Sequence, residues 1–154
     1  QTAQPRVSVI ARKRGTDVPR PQSSEHPDDE TFEGLLIVRP EGRLYFVNAQ
    51  YVSDHIRALV AQHKPRVVAL DLSRVPDIEY SAGKTLMEDE QRLSESGIDL
   101  WLVGLNPGVF ELARHVGLDQ RLGRERMLFN AREAIERFQA LRAASGGAAP
   151  SATG

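Results

Sequence analysis

Two short and almost continuously apolar runs constrain the fold of this chain more than any other feature. They are Arg66–Leu72 (RVVALDL) and Ile98–Leu105 (IDLWLVGL), and apolar residues at helical spacing lie between them. Strands that are buried on both faces have this continuous apolar character, and two parallel strands need a long crossover connection. The sequence therefore predicts a strand-helix-strand unit in a mostly parallel sheet.

Further predicted elements extend this unit in both directions. The other predicted strands are Arg6–Arg12, Gly34–Val38, Arg43–Val47 and Met127–Phe129, and the second and third of these form a hairpin around PEG. The predicted helices begin near the polar residues Asn48, Ser81, Asn106 and Asn130. This order predicts an α/β fold with a mixed, mostly parallel sheet of about four to five strands, and about four to five helices packed mainly on one face.

The 154 residues are enough for one compact domain. Residues 1–33 are predicted to form a linker segment, with a short first strand and then a mobile loop rich in proline and acidic residues. Residues 34–142 form the predicted core, in which Trp101 and Phe110 are interpreted as buried. Residues 143–154 are rich in Ala, Gly and Ser and are predicted to be a disordered tail.

Composition excludes several classes of function. The chain has no cysteine, which excludes disulfides, thiolate nucleophiles and cysteine-ligated metals. With 20 basic and 21 acidic residues, the formal charge is -1, and nothing in this balance favours nucleic acid as a partner. No apolar run approaches the ~20 residues that cross a bilayer. The four histidines lack metal-ligand spacing, and YSAG lacks the strained nucleophile turn of a hydrolase, so we predict neither a metal site nor catalytic residues.

The segment Val67–Leu86 (VVALDLSRVPDIEYSAGKTL) resembles the STAS family, which anti-sigma-factor antagonists and SulP anion transporters share. The DLS step, the acid-bearing loop and the serine that opens a helix carry this resemblance. Three further segments are similar to the transporter branch, namely Arg14–Val18 (RGTDV), Leu44–Ala49 (LYFVNA) and Asn106–Leu118 with its HVGL ending. The resemblance covers roughly residues 5–140, and it implies a STAS-type arrangement of the predicted fold.

The resemblance implies a cytosolic regulatory and interaction domain at the carboxyl end of a SulP-type transporter, on the cytoplasmic face of the cell membrane, and not an enzyme. Proteins it resembles carry sulfate, bicarbonate, chloride, oxalate or carboxylates. The implied partners are the transmembrane domain of the same transporter and cytosolic regulatory proteins, with dimerisation through the parent protein. The chain begins at Gln1 and not at Met, which we interpret as a piece of a longer polypeptide.

Two alternatives stay open. One is a free-standing anti-sigma-factor antagonist that is regulated by serine phosphorylation, which predicts a reading frame that starts near Gln1 and a neighbouring kinase gene. The other is a small nucleotide-hydrolysing enzyme, which predicts turnover by the purified protein. The reading frame of the parent gene distinguishes the transporter from the antagonist, because a transporter requires many upstream apolar spans.

Ser81 is the predicted phosphorylation or switch residue. The resemblance implies this role, because antagonist members of the family carry a phosphorylated serine or threonine at the matching position. A helix amino terminus can accommodate the phosphate, since its N–H groups are free and its dipole end is positive. The alternative is that Ser81 is only a helix cap. Glu79 keeps an acid ahead of the serine, but the bulky Tyr80 departs from the antagonist pattern.

A possible nucleotide site is predicted at the carboxyl ends of the strands, where open α/β sheets gather ligands. The candidate residues are Asn48, Asp71, Ser73, Ser81, Lys84 and Asn106. The resemblance to nucleotide-binding STAS domains allows a guanine or adenine nucleotide there, and no cofactor is required. The chain has neither a GxxxxGK[ST] loop nor a GxGxxG motif, so the phosphate grip is expected to be weak. The alternative is that these side chains are caps and turn residues.

Overall fold

The computed structural model describes residues 4–146 and 151–152, and in this part of the chain strands alternate with helices as the sequence predicts. The strands are β1 (Val7–Arg12), β2 (Pro19–Pro21), β3 (Glu30–Thr31), β4 (Leu35–Pro40), β5 (Val67–Asp71), β6 (Asp99–Val103), β7 (Met127–Leu128) and β8 (Ser151–Ala152). The helices are α1 (Phe46–His63), α2 (Tyr80–Glu95), α3 (Pro107–Val116), α4 (Leu118–Leu122) and α5 (Ala131–Ala144), with a 3₁₀ turn at Arg124–Arg126. None of the helices in this described part is long and apolar enough to cross a membrane.

The sheet is mixed, as predicted. Its strand order is β7-β6-β5-β4-β1-β3-β8, and β2 pairs with β1. Strands β4 to β7 run parallel, whereas β1 is antiparallel to β4, β2 and β3. The described residues contain more strands than the sequence predicts, because several pairings involve only two or three residues. Such short strands leave no periodic signal in a sequence.

The helices pack mainly on one face of the sheet, which confirms the predicted arrangement. One apolar core lies between the sheet and the helices α1 to α4, and a smaller core lies between the opposite face and α5. Side chains of β5 alternate between them, since Val68 and Leu70 join the larger core while Val67 and Ala69 join the smaller one. This alternation explains why the strand is apolar throughout. Trp101 is buried beside Phe138 in the smaller core, as predicted.

The predicted hairpin is wrong. β4 pairs with β1 and β5, and the residues after PEG do not return along it. Leu44 alone forms a bridge, parallel to Ile78, and Phe46 and Val47 already belong to α1. A hairpin was inferred from local turn chemistry, but the residue that decides the path is Leu44, which is completely buried in the larger core.

Two of the four predicted helix starts match the structure, and two do not. Asn106 and Asn130 cap α3 and α5, and each accepts a hydrogen bond from a backbone N–H three residues later, at 2.8 Å in both cases. Ser81 is the second residue of α2 and not its first, because the helix begins at Tyr80. Asn48 is not the N-cap of α1, because the helix begins two residues earlier, at Phe46.

The predicted burial of Phe110 is also wrong, because its side chain is 41% exposed. Val109 and Ala113 are the buried residues of α3. Val109, and not Phe110, therefore faces the core one turn before Ala113, and Phe110 is left at the edge of this face.

The segment predicted as a linker contributes β1, β2 and β3 to the sheet. Within it, Arg20 donates to Asp29 from Nε at 2.6 Å and from a terminal nitrogen at 2.7 Å, and the Asp29 carboxylate is buried. The hydrogen bonds from Arg20 lower the pKa of Asp29. In the segment predicted as a tail, α5 continues to Ala144 and the backbone of β8 pairs with β3. Residues 147–150 and 153–154 lie outside the described residues.

Asp89 lies buried between α1 and α2, where the Ser53 hydroxyl donates to its carboxylate at 2.6 Å. Burial raises the pKa of Asp89 above its ordinary value of 3.8, and the bonds from Ser53 and Arg92 only partly oppose this. A carboxyl whose pKa is raised by folding stabilises the native state when it is protonated. That contribution is complete below pH 3.8 and is lost as the pH rises through the folded-state pKa.

We therefore expect Asp89→Asn to gain stability relative to the wild type as the pH rises from acidic towards neutral. Denaturant unfolding at a series of pH values measures the difference. Asp54→Asn is the control, because Asp54 is exposed on the neighbouring helix α1. A difference between Asp89→Asn and wild type that is independent of pH would contradict the prediction.

Candidate functional site

Ser81 is exposed in the first turn of α2, at the end of the molecule where the parallel strands finish. Among the described residues, its hydroxyl forms no hydrogen bond, whereas its backbone carbonyl accepts one from Thr85. The N-cap residue, Glu79, has extended backbone angles and makes no side-chain cap bond. The helix therefore begins without a polar side chain over its first N–H groups, and the Ser81 hydroxyl is available to a partner.

The loop that leads from β5 to Ser81 is held in place by the chain after β4. The backbone N–H of Leu44 donates to the carbonyl of Asp77 at 3.0 Å, and Glu79 donates back to the carbonyl of Leu44 at 2.8 Å. Val75 and Ile78 turn inwards and are buried. Backbone hydrogen bonds and buried side chains thus both hold the loop in place, and together they position the start of α2.

The charges next to Ser81 are partly compensated. Arg43 donates to Asp77 at 2.7 Å and lies 3.7 Å from Glu79. The hydrogen bond to Asp77 and the charge of Glu79 raise the pKa of Arg43. One arginine faces two carboxylates, so this trio carries a net negative charge. All three side chains are largely exposed, and water therefore weakens the interaction.

Three large apolar side chains lie exposed at the same end of the molecule. They are Phe46, Val47 and Tyr80, each more than half exposed. The bridge between Leu44 and Ile78 brings the two segments together, because Phe46 and Tyr80 each follow their bridge residue by two positions. We define Phe46, Val47, Tyr80 and Ser81 as the α2 face. Several exposed apolar groups at one end of a domain are typical of interaction surfaces.

Asn48 occupies a different place from the predicted one. It is the third residue of α1, and its side-chain oxygen accepts from the N–H of Tyr45 at 2.7 Å while its amide donates to the carbonyl of Arg43 at 2.6 Å. It therefore caps the helix from inside the first turn, by accepting from the backbone of the N-cap residue Tyr45. Its buried side chain serves the fold.

Asp71 is also engaged within the protein. The carboxylate ends β5, is almost completely buried, and accepts from Arg39 Nε at 2.9 Å and from the N–H of Ser73 at 3.0 Å. Arg39 belongs to β4, so this ion pair joins two neighbouring strands at the end of the sheet that carries the α2 face.

The three remaining candidates for nucleotide binding differ in whether their side chains are already engaged within the protein. Asn106 accepts from Val109 and donates to the carbonyl of Pro76 at 3.0 Å, so both ends of its amide are used. Ser73 is exposed after β5. Lys84 is exposed on α2, with its ammonium 5.7 Å from the centre of the Tyr80 ring. The structure thus brings these polar residues to one end of the sheet, and binding of a nucleotide there stays a prediction.

Two acids of α2 are buried although their sequence pattern indicates exposure. Glu88, Asp89 and Glu90 had the pattern of a solvated helix face, but only Glu88 is exposed. Glu90 is buried and accepts from Arg121 of α4, with the shorter distance at 2.6 Å. Consecutive residues of a helix point in different directions, so three acids in a row cannot all lie in the middle of one solvent-exposed face. This spacing could have indicated that some of them meet neighbouring helices. The pairing with Arg121, 31 positions away, has no local signal.

Comparisons with known proteins agree with the resemblance derived from the sequence. A family model described as the STAS domain matches residues 26–136. The chain is 26% identical over 147 residues to the probable sulfate transporter 4.2 of Arabidopsis thaliana, covering 88% of this chain and 22% of the relative. It therefore spans about a fifth of the length of the curated relatives it matches.

Solved structures show the same fold. The murine Solute Carrier 26 family member A9 anion transporter in the inward-facing state superposes with a TM-score of 0.78 at 22% identity, over 91% of this chain and 23% of that one. The anti-sigma factor antagonist SpoIIAA in its unphosphorylated form superposes with a TM-score of 0.60 at 16% identity, over 71% of this chain and 92% of that one. Both branches of the predicted family thus share this architecture.

Proposed function

The chain belongs to the STAS domain family, and from this premise we propose that it is the regulatory and interaction domain of a SulP-type inorganic anion transporter, sulfate-like in its substrate. The relatives named as sulfate transporters support this assignment. In this proposal the domain lies on the cytoplasmic face of the membrane and contacts the transmembrane domain of the same transporter. Cytosolic regulatory proteins and dimerisation through the parent protein complete the proposed set of partners. We propose no catalytic activity.

The observation that carries the proposal is the α2 face. A hydroxyl with no hydrogen bond among the described residues follows directly on the exposed Tyr80, and the bridge between Leu44 and Ile78 brings the segment of the exposed Phe46 and Val47 to the same end of the sheet. The apolar groups provide area for a partner to cover, and the hydroxyl provides a point at which that contact can be changed. A structural cap would hold its hydroxyl on the helix backbone, as Asn106 does with its amide.

Phosphorylation of Ser81 is the proposed switch. A phosphate adds about -1.5 to -2 charges at pH 7. The first turn of α2 can accommodate it inside the domain, because the helix N–H groups and dipole face it. A docked partner would not gain this compensation. The phosphate would add to the excess of negative charge that Asp77 and Glu79 already have over Arg43. We therefore propose that the phosphate weakens docking.

Replacing Ser81 with aspartate is expected to weaken binding of the domain to the detergent-solubilised membrane part of the parent transporter by about tenfold, which corresponds to ~1.4 kcal/mol. Ser81→Ala should bind like the wild type, because the hydroxyl itself makes no structural hydrogen bond. Surface plasmon resonance with the immobilised membrane part measures both affinities. Ser24→Asp is the matched control, because Ser24 is an exposed serine between β2 and β3. Equal affinities for Ser81→Asp and wild type would refute the switch.

The second candidate function is a free-standing antagonist regulated by serine phosphorylation. The superposition on SpoIIAA, which covers nearly all of that protein, supports this alternative. It differs from the transporter proposal in what surrounds the domain in the parent gene. An upstream stretch with many apolar spans supports the transporter, and a short reading frame beside a kinase gene supports the antagonist.

Nucleotide binding at the carboxyl ends of the strands is a further part of the proposal. The residues that support it are Ser73, Ser81 and Lys84, which are exposed near the carboxyl ends of the strands. Asp71 and the two asparagines would have to give up internal hydrogen bonds to take part. Titration with a fluorescent guanine or adenine nucleotide decides the matter, since a signal that does not saturate argues against the site.

A further inference from the structure

A cavity of about 320 Å³ lies between α5 and the sheet, where β5 and β6 begin. We call it the α5 pocket and define it by six of its lining residues. They are Arg66, Asp99, Trp101, Phe138, Leu141 and Arg142. The pocket lies at the opposite end of the parallel strands from the α2 face and shares no residue with it. Its volume is at the lower end of the range for pockets that hold small molecules.

Two arginines approach this pocket beside a single aromatic ring. The guanidinium carbon of Arg142 is 5.9 Å from the centre of the Phe138 ring. A Cβ atom placed on Gly34 would lie 3.1 Å from the same ring and 3.8 Å from both Cγ and Cδ of Arg66. The Arg66 side chain and the Phe138 ring therefore pack over the same backbone position, and both arginines lie close to Phe138.

Neither arginine has a carboxylate partner among the described residues. The Arg66 side chain is exposed and forms no ion pair or hydrogen bond in this part of the chain. Arg142 donates to the backbone carbonyl of Glu33, which carries no net charge. Asp99 also lines the pocket, but it faces Arg126 at 3.5 Å. Two positive charges that share a pocket without a counterion favour the binding of an anion.

Apolar surface adjoins these two charges. Leu141, in the last turns of α5, is 53% exposed although it is a large apolar side chain. Beneath it, the buried rings of Trp101 and Phe138 meet edge to face with their centres 6.5 Å apart. An inorganic anion would leave Leu141 exposed to water, whereas an organic anion would cover it.

We propose that the α5 pocket binds a small organic carboxylate, with Arg66 and Arg142 at the carboxylate and Leu141 beside its apolar part. Guanidinium groups pair with carboxylates through parallel N–H···O bonds, which select for both charge and geometry. A carboxylate has a single charge, so placing it against apolar side chains costs less than placing a doubly charged phosphate there. This inference goes beyond the transporter assignment and does not depend on it, because it uses only the residues of the pocket.

The test uses the 154-residue chain with hydrocinnamate, a phenyl ring on a short carboxylate chain, at constant ionic strength. Trp101 is the only tryptophan of the chain, so tryptophan fluorescence reports on this pocket alone. Fluorescence and isothermal titration calorimetry should give the same saturable binding, with a Kd of roughly 5 mM or below. Hydrocinnamamide, which keeps the ring without the charge, and sulfate, which has charge without the ring, should each bind at least about tenfold more weakly.

Arg66→Gln should weaken binding of hydrocinnamate by about tenfold without lowering Tm, because its guanidinium has no bond to lose among the described residues. Arg74→Gln is the matched control and should leave binding unchanged. Arg74 is also exposed and has no side-chain bond in the described part of the chain, but it follows β5 whereas Arg66 precedes it. Leu141→Ser should weaken binding several-fold, because it removes the apolar contact and keeps both charges.

Equal affinities for hydrocinnamate and its amide would overturn the proposal, and so would wild-type affinity in Arg66→Gln or in Leu141→Ser. Equal affinity for sulfate would assign the pocket to inorganic anions and would also overturn it. A fall in Tm together with affinity in Arg66→Gln would assign Arg66 to the fold, with the same consequence. Titration of the isolated chain requires no transporter, so its failure is separate from a failure of the Ser81→Asp experiment.

Discussion

Replacing Arg39 with alanine is expected to lower the free energy of unfolding by about 3 to 5 kcal/mol. The variant would leave the carboxylate of Asp71 without its ion-pair partner in a position where only 2% of the side chain is exposed. The N–H of Ser73 remains as a donor but cannot neutralise the charge. Because domains of this size are only marginally stable, a loss of this size removes a large part of the total.

Denaturant unfolding of wild type and Arg39→Ala measures the loss. Arg43→Ala is the matched control, because it removes another arginine from an ion pair, and Arg43 and its partner Asp77 are both more than half exposed. Little change is expected for the control, since exposed ion pairs contribute little. The double variant Arg39→Met/Asp71→Leu should recover most of the loss, because it removes both charges together. A small loss in Arg39→Ala would show that Asp71 tolerates isolation and would contradict the assigned role of the pair.

Replacing Leu44 with alanine is the second large expected effect, a loss of about 2 to 5 kcal/mol. Leu44 is fully buried, and its backbone forms the bridge that holds the loop before α2. Truncation leaves a cavity beneath that loop and removes packing from the larger core. We therefore expect the variant both to unfold more easily and to loosen the start of α2, which carries Ser81.

Two measurements check this prediction. Denaturant unfolding gives the loss of stability, and hydrogen exchange of the Glu79 amide, which donates to the carbonyl of Leu44, reports on the loop. Val47→Ala is the control, because Val47 is three residues away and 64% exposed. If Glu79 exchanges no faster in Leu44→Ala than expected from the global loss of stability, the bridge does not depend on the leucine side chain.

The two variants also separate stability from function. Arg39 and Leu44 both support the end of the sheet where the α2 face lies, but neither belongs to that face. We expect their effects on partner binding to follow the fraction of folded protein. Ser81→Asp should instead weaken binding without lowering stability, since the Ser81 hydroxyl has no bond to lose within the described residues.

Much of the fold is visible in local sequence patterns. The apolar runs of β5 and β6 predict buried parallel strands, because each strand packs one face against the larger core and the other face against the smaller core. Asn106 with Pro107, and Asn130 with Glu133, predict helix starts because a cap bond joins residues only three apart. The resemblance of Val67–Leu86 to the STAS family was likewise contained in one continuous segment.

The wrong hairpin prediction and the buried acids that were not predicted both depend on contacts between residues that are far apart in the chain. The path of the chain after PEG is decided by Leu44 pairing with Ile78. Asp89 and Glu90, which have the sequence pattern of surface acids, are buried where Ser53 and Arg121 donate to them. Short-range patterns carry no information about such partners.

The sequence by itself therefore determined the alternation of the main strands and helices from β5 onwards, the family and the position of Ser81 near the start of a helix, because these depend on periodicity, caps and contiguous motifs. Only the tertiary structure decided that Asp71 is paired with Arg39, and that the segments leading to Phe46 and Tyr80 are joined by the bridge between Leu44 and Ile78. The physical reason is that burial and pairing are properties of the space around a side chain, and in a folded chain that space is filled mainly by residues distant in sequence.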